Sequence, residues 1–569
     1  NNDMTLTSCV FSKNIGLSGS GGAIFINADN DNMTFLNCSF IDNAASFSGG
    51  ALFINDRNEA MTFTSCIFRG NNVTLSDRSG GAIFIDTFNA DMTVSSCLFE
   101  ANTASLDGGG VLVNSNNFNM LLSDCTFVEN TAQNLGGAMY VHGVNTGMTL
   151  TACLFSENTA QLYGGGMYVS NYNNNLTLTA CNFTRNRVLS DGGALFLDNN
   201  NDGMTMTSCI FMENAGGSDG GAIYVSQDNL DLTLSSCTFS GNAAALNGGG
   251  MYLNFGNDNV NLASCTFLEN RVGLSAGGLY VDGPSTNLAL TSCVFIDNVA
   301  VISGGAISVH SNNNYITLTS CLFTENQVAS GRGGAVYVFQ KNDDILFSSC
   351  DFTRNEGRDE DSHGGALFVD SDNDRLTLTS CLFSENSAEY GSGGALFLDS
   401  GNDGMTLTSC IFTENVAQLN GGAVYLNTGN RNAIVTACNL THNTADYGGG
   451  LFLSVANDDM VVTSCSFVMN NASSGAGVYV NNANQALIFN SCDFLDNVAV
   501  FFGGGMFVNT ENNNMAVSLC HFKGNEVASG GGGVYLSSAN DRVAFASCLF
   551  LENIGGECML TMQMILCPS

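Results

Sequence analysis

The chain has 569 residues, 51 acidic and 15 basic, and a formal net charge of −36. So acidic a surface repels nucleic acid and anionic polysaccharide and keeps a long molecule in solution. No run of 18 apolar residues occurs, which excludes a membrane-spanning helix, and the 2 prolines, Pro284 and Pro568, leave the rest of the chain able to donate to ladders of backbone hydrogen bonds.

The first elements are readable within 32 residues. Met4-Thr5-Leu6-Thr7 alternates apolar and polar side chains, as a strand with one inward face does. A serine corner leads to Cys9-Val10-Phe11, a second short strand with Cys9 and Phe11 inward, and Asn14 opens a turn. Gly21-Gly22 lets the chain corner without a side-chain clash. Ile24-Phe25-Ile26 is a third strand whose isoleucines share the inward face. Asn27-Ala28-Asp29-Asn30-Asp31-Asn32 suits a loop with left-handed conformations, after which the cycle restarts. Because the sequence opens in mid-repeat, we expect a mature or trimmed product of a longer precursor.

The cycle continues almost to the end. From Cys9 to Cys548 a cysteine returns every 27 to 31 residues, with Phe two positions later in 19 of 20 cases (Leu440 is the exception) and Asn five positions later in all 20. A fixed period of this size marks a stacked array in which each coil touches only its neighbours. The expectation is an all-β parallel β-helix of about 20 coils of about 28 residues, three short strands per coil. It would occupy 1–556 as a single domain, with 557–569 as a short C-terminal tail or cap.

The recurring Gly21-Gly22-Ala23-Ile24 tetrapeptide, with variants such as Gly192-Gly193-Ala194-Leu195 and Gly421-Gly422-Ala423-Val424, and the repeated Phe-x-x-Asn resemble the repeats of the polymorphic outer-membrane protein family and related secreted β-helix proteins. The likeness covers residues 1 to about 556. It implies a right-handed parallel β-helix and a cell-surface or secreted adhesin. The repeats run almost to the last residue, so that family's C-terminal membrane barrel is not expected in this sequence, and a cysteine in every coil is more regular than the family pattern requires.

Stacked cysteines would lie about 4.8 Å apart, within disulfide range, but with nearly parallel Cβ vectors that strain the bridge. Buried thiols, adjacent-coil disulfides and metal binding (with no histidine in register) are the three readings. Cys558 and Cys567 fall outside the ladder, where they could pair to staple a cap.

The position between the two inward aliphatics is aromatic in 17 of 19 coils: Phe25, Phe53, Phe84, Tyr140, Tyr168, Phe196, Tyr224, Tyr252, Tyr280, Tyr337, Phe368, Phe397, Tyr425, Phe452, Tyr479, Phe507 and Tyr535. Alternation points these side chains outward, and an apolar stripe of that length exceeds what a lone protein exposes. We therefore expect it to pack against another copy of the chain or a partner. Shading by loops or glycans, and carbohydrate stacking, are the alternatives. Outward pairs such as Thr149/Thr151 and Thr377/Thr379 resemble ice-binding arrays, but Leu121, Asn261, Leu346 and Ile488 break them, and threonine is a good strand residue in any case.

Catalysis draws little support, since His142, His310, His363, His442 and His521 are scattered over coils and registers and polysaccharide cleavage needs clustered acids and bases. Two coils carry extra residues in the same turn, Thr74-Leu75-Ser76-Asp77-Arg78 and Glu356-Gly357-Arg358-Asp359-Glu360-Asp361-Ser362-His363. The second is charge-dense and reads as a solvated loop or a local recognition or cation site. Calcium is the one cofactor the loops suit, through oxygens of Asp29, Asp31, Asp343, Asp344, Asp370, Asp372, Asp374, Asp458 and Asp459, although their spacing matches no calcium motif. Asn32, Asn37, Asn72, Asn175, Asn182, Asn439 and Asn471 sit in Asn-x-Ser/Thr sequons, candidates for N-glycosylation of a secreted glycoprotein.

The reading that follows is an extracellular or cell-surface structural or adhesive rod, not an enzyme. It would be a filament or surface-fibre subunit that self-associates through its ends and the Phe/Tyr stripe, with glycans or another surface protein as further partners, and with no nucleic acid or membrane span. The alternative is a polysaccharide-binding or polysaccharide-degrading β-helix protein.

Overall fold

The computed structural model describes residues 3–75, 78–359 and 362–555. The chain is a right-handed parallel β-solenoid of about 19 turns and about 28 residues per turn, with no helix among the described residues. It consists of two compact units, Asn1–Ala289 and Leu290–Ser569, each built on the same plan. Cys558, Cys567 and the tail from 557 lie outside the described residues, as do Ser76, Asp77, Glu360 and Asp361.

In the first unit a representative turn runs through Met139–Val141, Thr149–Thr151, Leu154–Ser156 and Thr159–Ala160. In the second unit the equivalents are Leu396–Leu398, Thr406–Thr408, Ile411–Thr413 and Val416–Ala417. The first three strands are those the alternation implies. The fourth lies in what reads as the turn back to the glycines. It is two residues long, too short for alternation to announce it, with Ala160 buried and Thr159 exposed.

Within the first unit the strands of this turn pair in parallel with their equivalents one turn later: Met139 with Met167, Thr149 with Thr177, Leu154 with Asn182, Thr159 with Arg187. Like side chains therefore land on like. Phe127, Phe155 and Phe183 are fully buried, and their rings stack at 4.7 and 4.6 Å, within 4° of parallel. Each ring contributes about 1.5–3 kcal/mol by leaving water.

The corners explain the conserved spacing within the repeat. Gly136 has φ +62°, and a Cβ there would strike the Met139 carbonyl; a Cβ on Gly137 would strike the Gly165 carbonyl of the next turn. One glycine allows the bend and the other the approach of successive turns. At the Phe-x-x-Asn corner, Asn158 Nδ2 donates to Phe127 O at 2.9 Å and to Asn186 Oδ1 at 3.0 Å. A second buried asparagine ladder runs through the loop after the first strand, where Asn145 Nδ2 donates to Asn173 Oδ1 at 2.9 Å and to His142 O at 2.8 Å.

The twenty ladder cysteines are thiols. Cys125 Sγ donates to Ser123 O and to Val94 O, both at 3.4 Å, so each thiol caps carbonyls at a corner while filling core volume. The hydrogen bond with Cys321, opposed by Cys381 and reinforced by burial, pushes the Cys350 thiol up to about 12.

Candidate functional site

The Phe/Tyr row is not the bare stripe that alternation implies. Tyr140, Tyr168, Phe196, Tyr252, Tyr280, Tyr337, Phe368, Phe397, Tyr425, Phe452, Tyr479 and Phe507 are at most 9% exposed. Phe53, Phe84, Tyr224 and Tyr535 are half-buried, and Phe25 alone is exposed, at 51%. The reason is geometric. One turn advances by about 4.8 Å, close to a ring-stacking distance. Each ring therefore covers the faces of its neighbours: Phe196 and Tyr224 lie 4.8 Å apart, Tyr224 and Tyr252 4.8 Å, Phe452 and Tyr479 4.9 Å. Only edges and hydroxyls reach the surface, which removes the exposed ring faces that lateral association was expected to use.

Two walls flank the row. The first is formed by residues just ahead of the glycine pair, which lean over the rings. Tyr163 lies 4.6 Å from Phe196, Tyr447 meets Tyr479 edge-on at 5.5 Å, and Phe502 lies 4.7 Å from Tyr535. In the second unit His363 lies 4.9 Å from Phe397, and the Arg332 guanidinium sits 4.9 Å over Phe368. The second wall is the polar residue directly after the strand's last aliphatic, and tyrosine hydroxyls reach it. Tyr168 donates to Asp198 Oδ2 at 2.7 Å, Tyr252 to Asp282 Oδ2 at 2.9 Å and Tyr337 to Asp370 Oδ2 at 2.8 Å. Tyr140 and His142 Nδ1 are 2.8 Å apart. In each unit the row of ring edges thus runs as a trough between two lines of mostly polar side chains, with Phe502 in the first line and Phe339 in the second line of the second unit.

The trough of the first unit is acidic. Burial pushes the Asp219 carboxyl up to about 6, against hydrogen bonds from the side chain and backbone of Asn247. Burial raises Asp107 as well and pulls His142 down. Tyr168 is driven far above the ordinary phenol range, first by burial and then by its bond to Asp198. At neutral pH such walls present carboxylates, neutral imidazole and phenol hydroxyls, which are hydrogen-bonding groups suited to other hydroxyls.

The other sequence candidates fall elsewhere. Asp343 Oδ1 accepts the Asp374 N–H at 3.2 Å and Asp374 Oδ1 the Asp403 N–H at 3.0 Å, so these loop aspartates are rungs between turns. Arg375 pairs with Asp344 at 2.6 Å and holds its carboxyl below the usual range. Among the described residues no group of three or more His, Cys, Asp or Glu side chains is arranged to hold a metal ion. In the charge-dense loop Arg358 pairs with Glu356 at 2.6 Å, and of the five histidines only His142, His310 and His363 stand at the trough, His310 by its position after Val309. Six sequon asparagines, Asn32, Asn37, Asn72, Asn175, Asn439 and Asn471, are exposed, and Asn182 is half-buried. The sequence reading passed over both walls and the second asparagine ladder. Their signal is a polar residue recurring directly after the strand's last aliphatic, and an asparagine recurring three positions later.

Five overlapping stretches, 1–180, 115–267, 218–352, 275–438 and 366–550, match the family described as right handed beta helix region. The chain belongs to the right-handed β-helix family. That match does not extend to the narrower outer-membrane group that the tetrapeptides resemble. No curated protein matches the chain. Among solved structures, the Dettilon tailspike protein is similar at 13% identity over 69% of this chain and 62% of that one, TM-score 0.27. The tailspike protein of E. coli bacteriophage HK620 in complex with pentasaccharide is similar at 11% identity, over 82% of this chain and 74% of that one, TM-score 0.32. The PL6 family alginate lyase AlyGC is similar at 9% identity, over 96% and 97%, TM-score 0.30. At these values the likeness concerns the fold alone.

Proposed function

We propose that this protein is an extracellular polysaccharide-binding solenoid that holds a neutral glycan along the trough of a unit without cleaving it. The observation that carries this reading is the trough: tyrosine hydroxyls bonded to aspartate or histidine, at Tyr140, Tyr168 and Tyr252 in the first unit and at Tyr337 in the second, beside a row of ring edges. A sugar chain is a repeating ligand with hydroxyls on its rim and apolar C–H faces between them. A repeating wall of acceptors and donors over aromatic edges complements both features. The net charge of −36 disfavours a polyanionic chain. Asp198, Asp282 and Asp370 are each engaged by a tyrosine hydroxyl, which supports binding rather than turnover. Lateral self-association loses its basis with the covering of the rings.

The test is calorimetric titration of the full chain with neutral and acidic oligosaccharides. We expect a neutral oligosaccharide to bind unaltered, and Tyr252→Phe combined with Asp282→Asn to weaken it about tenfold, the worth of one or two hydrogen bonds. Failure of every neutral oligosaccharide to bind overturns the reading, and appearance of shortened products overturns its non-catalytic part.

A further inference from the structure

In the second unit one pair of charges crosses the trough. Arg332 stands immediately before Gly333 on one wall, and Asp399 immediately follows Leu396–Leu398 on the other, two turns later. Between them lies Phe368, which is 0% exposed, with the Arg332 guanidinium 4.9 Å above its ring. Arg332 Nη1 and Asp399 Oδ2 are 3.9 Å apart, and the two side chains are 43% and 22% exposed. That separation is too long for a hydrogen bond. Asp399 Oδ1 accepts from Asn427 Nδ2 at 2.7 Å, so Oδ2 is the oxygen turned toward the guanidinium.

An exposed ion pair of this kind contributes little to stability, which gives stability little reason to hold the arrangement. Its chemistry is more specific. A donor and an acceptor stand 3.9 Å apart, so that an oxygen atom lying to one side of the line between them reaches both at about 2.8 Å, above an apolar floor. A hydroxyl carries one donor and two acceptor sites, so one hydroxyl accepts from Nη1 and donates to Oδ2 at the same time. A ligand carboxylate would meet Asp399 and the nearby Asp370 as like charges, and a ligand ammonium would meet Arg332 in the same way.

We propose that Arg332 and Asp399, with Phe368 beneath them, form a subsite that takes a hydroxyl of a neutral sugar residue. The proposal rests on the trough being a glycan site and adds to it the chemical class recognised at this point. It also explains why a cation occurs on the ring row of so acidic a chain: the guanidinium supplies the donor that the carboxylate lacks.

The experiment titrates the full chain with maltohexaose, cellohexaose, mannohexaose and trigalacturonate by calorimetry, as wild type and as Arg332→Gln, Asp399→Asn and the double variant. Arg375→Gln, whose pair with Asp344 lies on a loop outside the trough, is the control, and circular dichroism checks that each variant folds. We expect at least one neutral hexasaccharide to bind. Each single variant should weaken it about tenfold, the double variant should be little worse than either single one because they share one hydroxyl, and Arg375→Gln should bind as wild type. Single variants with wild-type affinity would overturn the subsite and leave the glycan reading standing. Preferential binding of trigalacturonate, lost in Arg332→Gln, would overturn the neutral class. No binding of any neutral hexasaccharide would overturn the subsite together with the reading beneath it.

Discussion

The side-chain amide of Asn158 donates to Asn186 Oδ1 at 3.0 Å, and the backbone N–H of Asn158 shares the same acceptor at 3.1 Å. Asn158 Oδ1 in turn accepts both the N–H and the amide of Asn130, at 3.0 Å each. Every polar atom of the residue is matched at a position closed to water. Asn158→Ala would strand the Asn130 backbone N–H, leave the Asn130 amide with Phe99 O alone and take a donor from the Phe127 carbonyl. At about 1–3 kcal/mol for each buried group left unpaired, we expect a loss of about 3 kcal/mol or more, read from the midpoint of urea unfolding.

The loop ladder contains one imperfect rung. Asn402 is buried and its Oδ1 accepts the Asn373 N–H at 2.8 Å, yet its Nδ2 has no partner. The turn before it bonds locally, Asn373 Nδ2 to Asp370 O at 3.0 Å, whereas Asn430 Nδ2 reaches back to Asp399 O at 2.7 Å. The pattern changes at Asn402, and the carbonyl it would use is taken by Asn430. Asn402→Ala should therefore be milder than Asn373→Ala by about 1–2 kcal/mol in the same unfolding assay, since one of its donors is already unmatched.

The glycine pair predicts a positional contrast. Gly137→Ala drives a methyl group into the Gly165 carbonyl, and backbone cannot yield as a side chain can, so we expect a loss of at least about 3 kcal/mol. Gly429 has φ +70° with open space where a Cβ would go. Gly429→Ala should lose only the left-handed penalty, about 1–2 kcal/mol. Equal costs at the two sites would contradict the close approach of successive turns.

Asp219 predicts a pH dependence with a defined sign. Its carboxyl titrates at about 6 in the folded chain against 3.8 for the free side chain, chiefly through burial. The folded state therefore binds the proton more tightly, and this group favours folding most where it is protonated. Between pH 4 and pH 6 its contribution should fall as pH rises, and above pH 6 it should be constant. Asp219→Asn should remove that part of the slope, seen as a flatter melting temperature against pH than in the wild type.

The thiol ladder should be silent to alkylation in the native state. Eighteen of the twenty are buried, which keeps the reagent from their sulfurs, and reactivity needs an accessible thiolate. Among the ladder cysteines only Cys9 and Cys548 are part-exposed. Iodoacetamide followed by peptide mass spectrometry should mark these two first, and the rest only after unfolding.

How much was legible follows from what repeats. The period, the inward aliphatics, the Phe stack, the Phe-x-x-Asn corner and the glycine pair were all readable, because a parallel stack in register turns a recurrence in the chain into a column in space: Phe127 must meet Phe155 once a turn is 28 residues long. Sequence alone therefore determined the fold, the composition of the core and the corner chemistry. The tertiary structure decided what the outer face of the first strand is for. Alternation places Tyr168 outward, but only the spacing of turns shows that Tyr140 and Phe196 cover its faces, and only the path of the corners brings Tyr163 over it and Asp198 to its hydroxyl. Arg332 and Asp399 stand 67 positions apart in the sequence and 3.9 Å apart across the trough. A one-dimensional pattern records which face a side chain takes, whereas a site depends on which loops fold back over that face, and those loops carry no period strong enough to announce where they come to rest.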